Sequence, residues 1–290
     1  MEIKNVTVFG SGLMGAGIVQ VAAHAGYNVT MVDIEQDFID GGMKRISGSL
    51  KRVLRKKHES QEDADAEFET VFGRIKATTS RKEGAQDADL VVEAITENID
   101  LKQELFKFLD ENCPSHAIFA SNTSSLPIRD LAKATNRRDK IGGLHFFNPV
   151  PVMRLVEVIK SDETSDETHA SLMAFGEAVG KKTVSCKDTP GFVVNRLLVP
   201  YLIEAVRMLE RGDASVEDID AAMKLGCGYP MGPMALLDYV GLDTTKFILD
   251  GWHEAYPDED LFAPSGLLDK LVGEGKLGRK SGEGFYNYRK

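Results

Sequence analysis

Short runs of β-branched and apolar residues, bounded by turn formers, alternate with longer stretches of helical periodicity through the first two-thirds of the chain. The alternation predicts strands at 4–9, 28–33, 74–78, 89–95, 117–121, 141–147, 154–159 and 182–185. Helices are expected at 13–25, 37–57, 62–72, 99–111, 127–134 and 166–179. Strands separated by helices need crossovers, so the sheet should be mostly parallel and covered on both faces. The interval between the second and third strands is too long for one crossover and predicts a helical hairpin projecting from the sheet. Beyond Cys186 the pattern changes: Asp188-Thr-Pro-Gly-Phe192 reads as a turn, and Val194, Leu197, Leu198, Tyr201, Leu202, Ala205, Val206 and Leu209 recur at helical spacing. Ser215-x-x-Asp218 opens another helix as a capping box does, and more are expected near 216–225, 233–239, 243–255 and 264–273.

The first strand, Lys4 to Phe9, runs directly into Gly10-Ser-Gly12-Leu-Met-Gly15 and an Ala-rich helix. In that context Gly10 permits the tight turn, Gly12 admits a pyrophosphate to the backbone, and Gly15 lets helix and strand pack closely. Free amides at the helix N-terminus then face the phosphate, which makes Gly10, Gly12, Leu13, Met14 and Gly15 candidate cofactor-binding residues. The second strand ends in Asp33, whose carboxylate would accept hydrogen bonds from ribose hydroxyls and repel a 2′-phosphate. Ile34 and Glu35 offer no arginine, so NAD is expected rather than NADP. The expected fold is α/β: a Rossmann-like, doubly wound, mostly parallel sheet with a hairpin insertion over 1–187, then an all-α domain over 188–290.

The 290 residues suffice for about two domains. A net charge of −10 gives no support to a nucleic-acid partner, and no apolar run is long enough for a membrane span. Cys113, Cys186 and Cys227 are odd in number and widely spaced, so neither a disulfide framework nor a metal site is expected and a reducing compartment fits. The first strand begins within a few residues of Met1, leaving no visible presequence. Against the acidic background, the hairpin concentrates Lys44, Arg45, Lys51, Arg52, Arg55, Lys56 and Lys57. These residues read equally as a solvated helix face or as a site for the phosphates of a second ligand.

Two strand ends carry candidate chemistry. His145 closes an apolar strand, where open α/β sheets place ligands, and Glu157 lies within Leu155-Val-Glu-Val-Ile159, whose neighbours favour burial. A buried carboxylate needs a partner; paired with an imidazole it fixes the tautomer and leaves the other ring nitrogen as a base. Taken alone, His145 is better read as a core histidine satisfied by a carbonyl; with Glu157 close in sequence, Pro149 and Pro151 forcing a turn between them and a cofactor fold expected, the catalytic reading is favoured. Ser121-Asn-Thr-Ser124-Ser125 would point hydroxyls at the same cleft, although capping before Pro127 explains Ser125 better than Ser124. Glu97 and Lys102 could reach a nicotinamide or simply pair on a helix surface. The first helix of the second domain is apolar over a broad face, which suggests burial against another subunit.

Several motifs in one order carry a resemblance: Gly10 to Gly15, Ala120 to Ser125, His145-Phe-Phe-Asn148-Pro149, Asp188 to Arg196, Gly228 to Pro233, Asp238 to Asp243 and Gly282 to Tyr286. Together they closely resemble the short-chain L-3-hydroxyacyl-CoA dehydrogenases of fatty-acid β-oxidation. The resemblance implies that His145 takes the proton of the substrate 3-hydroxyl and that Glu157 orients it. Ser124 and Asn195 would hydrogen-bond substrate oxygens. Asn148 would lie at the nicotinamide, and Asp33, Glu97, Lys102 and Lys280 would fall on cofactor positions. Ser49 and Lys56 match coenzyme A contacts, which favours the ligand reading of the hairpin. It further implies a small-molecule 3-hydroxyacyl-CoA or 3-ketoacyl-CoA partner, a homodimer, and the mitochondrial matrix, with cytoplasm as the alternative. A dehydrogenase of free hydroxy acids or sugar acids and a non-catalytic nucleotide-binding homologue are the rival readings.

Overall fold

Eight apolar runs become strands of one sheet in the computed structural model, which describes residues 2–289. They are β1 (Asn5–Phe9), β2 (Asn28–Val32), β3 (Ile75–Thr78), β4 (Leu90–Glu93), β5 (Ile118–Ser121), β6 (Ile141–Phe146), β7 (Leu155–Lys160) and β8 (Lys182–Lys187). Their spatial order is β3-β2-β1-β4-β5-β6-β7-β8. All named pairings are parallel except β6 with β7. The exception follows from the short loop between these two strands, since a parallel neighbour would need a full crossover. The order reverses at β1 and β4, and the crevice beyond their carboxyl ends is where such sheets place ligands.

Side chains alternate between two cores. Leu90 and Val92 join one layer and Val91 the other; Ile118 and Ala120 are likewise separated from Phe119. The helices α1 (Leu13–His24), α2 (Gln36–Lys57), α3 (Gln61–Phe72), α4 (Arg81–Ala85), α5 (Ile99–Asn112), α6 (Ile128–Ala132) and α7 (Asp166–Ala178) cover these layers. Most of α1 is buried, because it packs against the sheet and against α2 as well.

The expected hairpin is α2 with α3, but it does not simply project. The apolar stripe Ile39, Ile46, Leu50 and Leu54 of α2, with Ala64, Phe68 and Val71 of α3, joins the same core as α1. Burying a Leu or Ile side chain is worth about 1.5–3 kcal/mol, which favours laying the stripe down over leaving it in water. Helix α4 was not expected; its five residues are too few to show a period.

The chain divides into two compact units, one running through Phe192 and the other beginning at Val193, five residues beyond the expected boundary. The second unit comprises α8 (Val194–Glu210), α9 (Val216–Gly226), α10 (Pro233–Val240), α11 (Leu242–Ala255) and α12 (Gly266–Gly273) around Leu202, Ile203, Val206, Met234, Leu237, Trp252 and Phe262. Ser215 caps α9 by accepting from the Asp218 amide at 3.1 Å. The Asp238 carboxylate accepts from the amides of Phe285 and Tyr286, both at 2.9 Å, and from the Tyr288 hydroxyl at 3.0 Å. Among the described residues no helix is long and apolar enough to cross a membrane.

Candidate active site

The turn after β1 is built as its glycines require. Gly10 has φ +102°, and a Cβ there would lie 2.3 Å from the Ala94 carbonyl oxygen. A Cβ at Gly15 would lie 1.8 Å from the Gly10 carbonyl oxygen, so α1 meets the turn at backbone contact. At Gly12 an added Cβ meets nothing within 4 Å. The open space belongs to a cavity of about 600 Å³ lined by Gly10, Gly12, Asp33, Ile34, Ile95 and Leu101, among others. No acidic residue stands in the first turn of α1. Unoccupied amides, an open approach and a nearby carboxylate fit a dinucleotide, with the pyrophosphate against the turn and a ribose on Asp33.

Asp33 is held by its own neighbours. Its Oδ2 accepts from the Ser11 amide at 2.7 Å and the Ser11 hydroxyl at 2.6 Å, and its Oδ1 from the Ile34 amide at 2.8 Å. The absence of arginine at positions 34 and 35 does not leave the cavity free of guanidinium, because Arg45 from α2 and Arg81 from α4 both line it. Leu13 is largely exposed at the start of α1, while Met14 packs partly buried against the core.

A second cluster lies at the ends of β4 and β5. Lys102 is 1% exposed, with its Nζ 2.6 Å from Glu93 Oε1 and 3.1 Å from Glu97 Oε2. Pairing on a helix surface is therefore ruled out for this lysine. One buried carboxylate, Glu93, and one partly exposed, Glu97, against a single ammonium would be unfavourable unless other donors compensate. Glu93 also accepts from the Ile95 amide at 2.8 Å and the Ser121 hydroxyl at 2.6 Å. Glu97 Oε1 accepts from the Thr123 hydroxyl at 2.5 Å, the Ser124 amide at 3.0 Å and the Ser125 hydroxyl at 3.0 Å. Burial pushes the Glu97 carboxyl up, but the Lys102 charge and the hydroxyls of Thr123 and Ser125 outweigh it, and the group is held below its ordinary value.

The capping expected of Ser125 is not what the structure shows. Helix α6 begins after Pro127, and its first amides, Ile128 and Arg129, donate to Asp188 at 2.9 and 2.8 Å. Ser125 serves Glu97 instead, so both serines belong to a loop fixed from the cofactor side. The Ser124 hydroxyl forms no hydrogen bond among the described residues and is free for a ligand. Glu93 went unnoticed in the sequence, although a glutamate inside Leu90-Val-Val-Glu93 carries the same signal that singled out Glu157.

His145 and Glu157 are register partners across β6 and β7. The imidazole Nδ1 lies 2.7 Å from Glu157 Oε2, with side-chain exposures of 7% and 0%. The partner is thus a carboxylate rather than a carbonyl. Phe147 and Phe192 flank the imidazole, with ring centroids 4.5 and 5.6 Å away. The Phe146 amide donates to Asn122 Oδ1 at 2.9 Å, tying the end of β6 to the Ser121–Ser125 loop. Asn148 is exposed in the loop between β6 and β7; on α2, Ser49 is half-buried and Lys56 exposed. In the second unit, Asn195 lies half-buried in the first turn of α8, and Lys280 pairs with Asp243 Oδ2 at 2.7 Å.

The glycine turn, the Asp33 carboxylate just beyond β2 and the doubly wound sheet define a dinucleotide-binding protein of the dehydrogenase type. Residues 5–189 match the family model "3-hydroxyacyl-CoA dehydrogenase, NAD binding domain", and residues 191–288 match "3-hydroxyacyl-CoA dehydrogenase, C-terminal domain". The chain belongs to the 3-hydroxyacyl-CoA dehydrogenase family. It is 59% identical to the mitochondrial hydroxyacyl-coenzyme A dehydrogenase of Homo sapiens over 288 residues, covering 99% of this chain and 92% of that protein. It is 47% identical to a probable 3-hydroxybutyryl-CoA dehydrogenase of Bacillus subtilis, covering 99% and 98%. The crystal structure of (S)-3-hydroxybutyryl-CoA dehydrogenase PaaH1 from Ralstonia eutropha superposes with a TM-score of 0.94 at 42% identity, covering all of both chains.

Proposed function

We propose that this protein oxidises L-3-hydroxyacyl-CoA to 3-ketoacyl-CoA with NAD, reversibly, and that His145 is the base. The observation that carries the assignment of the base is the buried 2.7 Å contact between His145 Nδ1 and Glu157 Oε2. With Glu157 ionised, Nδ1 donates and Nε2 keeps its lone pair. Nε2 then takes the proton of the 3-hydroxyl as the alcohol becomes a ketone, and the carboxylate stabilises the imidazolium that results. NAD, when bound, supplies the hydride acceptor. Gly10, Gly12 and Gly15 open the turn for its pyrophosphate, with Leu13 and Met14 at the start of α1; Asp33 holds a ribose. Glu97, Lys102, Asn148 and Lys280 serve the cofactor as well.

The Ser124 hydroxyl, free of the network that fixes its amide, hydrogen-bonds the substrate oxygen, and Asn195 is assigned the same task. Ser49 and Lys56 on α2 take coenzyme A phosphates. We assign a homodimer formed through the helical unit, supported by the exposure of Leu197 (70%) and Leu225 (86%) there. The mitochondrial matrix is the compartment, supported by the relatives named mitochondrial.

One assay tests the activity: NADH consumption with acetoacetyl-CoA, free acetoacetate and no substrate. Consumption with the thioester alone is expected. Equal rates with the free acid would favour a hydroxy-acid dehydrogenase, and no rate with either would leave a binding protein.

A further inference from the structure

Asp33 gathers three donors into one carboxylate: the Ser11 amide, the Ser11 hydroxyl and the Ile34 amide. Two guanidinium groups stand around the same cavity, brought there from distant parts of the sequence. Arg45 reaches in from α2, its Nη1 3.5 Å from the Ser11 carbonyl oxygen, and forms no ion pair among the described residues. Arg81 pairs with Glu104 at 3.1 Å and lies 4.5 Å over the Phe108 ring. Besides Asp33, the acidic side chains lining the cavity are Asp37 and Glu104.

We infer that this cavity contains a latent phosphomonoester site, able to take the 2′-phosphate of an adenine ribose and masked chiefly by Asp33. The inference rests on reading the cavity as the dinucleotide pocket. In the native chain the carboxylate does two things at once. It occupies the three donors that a phosphate would use, and it sets a negative charge where a second would have to sit. Replacing Asp33 by serine removes the charge and releases the Ser11 and Ile34 donors beside an unpaired guanidinium. Charge-assisted bonds from such donors are the strong ones, and the planar fork of arginine suits a phosphate. Arg81 already shares its charge with Glu104, so Arg45 carries most of the effect. Asp37 remains and limits the gain.

Calorimetric titration of the full chain with 5′-AMP and with 2′,5′-ADP tests this without turnover. The native chain should bind 5′-AMP at least about 10-fold more tightly than 2′,5′-ADP. Asp33→Ser should raise the affinity for 2′,5′-ADP by roughly 10- to 100-fold, about the worth of one hydrogen bond to a charged group. Adding Arg45→Gln should cancel most of that gain, and adding Arg81→Gln should cancel less. Asp33→Asn keeps the shape without the charge and should gain in the same direction. Variants that melt with the native chain yet bind 2′,5′-ADP no more tightly overturn the inference, as does a gain that survives Arg45→Gln. Should both Asp33 variants unfold, Arg45→Gln in the native chain decides: it must weaken the residual 2′,5′-ADP affinity, and no change sinks the idea. A native chain that binds neither nucleotide nor NADH overturns the pocket reading itself, a distinct result.

Discussion

His145 and Glu157 face one another across the single antiparallel pairing in the sheet, with Nδ1 and Oε2 2.7 Å apart and both side chains out of water. Because a carboxylate can only accept, and so holds the proton on Nδ1, the arrangement makes a sharp forecast. His145→Gln should lower kcat by about 10²–10⁴-fold, the usual worth of a positioned base, while NADH still binds. Glu157→Gln should also lower kcat, by about 10²-fold or more, since an amide can donate to Nδ1 and drive the proton to Nε2. Stopped-flow turnover with fluorescence titration of NADH separates the two effects. Near-native kcat in either variant removes that residue from the mechanism.

Lys56 tests the coenzyme A site. Charge reversal, Lys56→Glu, should raise the KM for acetoacetyl-CoA by roughly 10- to 100-fold. A truncated thioester without the nucleotide should be little affected, and the difference should shrink with added salt. Equal effects on both substrates would place Lys56 on a merely solvated face.

Gly15→Ala puts a methyl group against the Gly10 carbonyl oxygen, where only backbone can yield. Such overpacking costs about 1–3 kcal/mol, which for a chain of this size lowers Tm by roughly 2–4 °C per kcal/mol. NADH affinity should fall with it, because the turn is displaced. Gly12→Ala should leave Tm near the native value and still weaken NADH, since its Cβ would enter open space. A calorimetric melt paired with a binding titration checks both; equal Tm losses at the two positions would contradict the close-approach argument.

Glu97 is held below its ordinary value in the fold, chiefly by Lys102 once the opposing effect of burial is counted. A carboxylate depressed in this way stabilises the native state above its unfolded value, and the benefit disappears as pH falls through the folded one. The stability gap between the native chain and Glu97→Gln should therefore be constant near neutrality. It should narrow as pH drops below the ordinary carboxylate value of 4.5. Melting temperatures across an acid series read this directly, and a gap that widens on acidification would reverse the sign.

Strands were readable because parallel strands covered on both faces are written as unbroken apolar runs, as in Val91 and Val92. The glycine turn was readable because its three glycines stand at fixed spacing between a strand and a helix. What could not be read depends on distant partners. Lys102 sits in an ordinary amphipathic helix pattern, and only the arrival of Glu93 from the sheet buries it. The cap of α6 is Asp188, sixty residues away from Ile128, so a neighbouring serine looked like the natural choice. Arg45 and Arg81 reach the cavity through the packing of α2 and the five-residue α4, neither of which leaves a mark beside Asp33.

The cluster in which Lys102 joins the buried Glu93 to the partly exposed Glu97 bears on heredity as well as on binding. A mutation that neutralises Lys102 strands the Glu93 carboxylate in the interior at about 3–5 kcal/mol, and one that neutralises Glu93 leaves the ammonium short of an acceptor. Drift through either single change is barred, whereas an apolar exchange of the whole group is nearly neutral to the fold. Descendant chains should keep these positions as a block or lose them as a block.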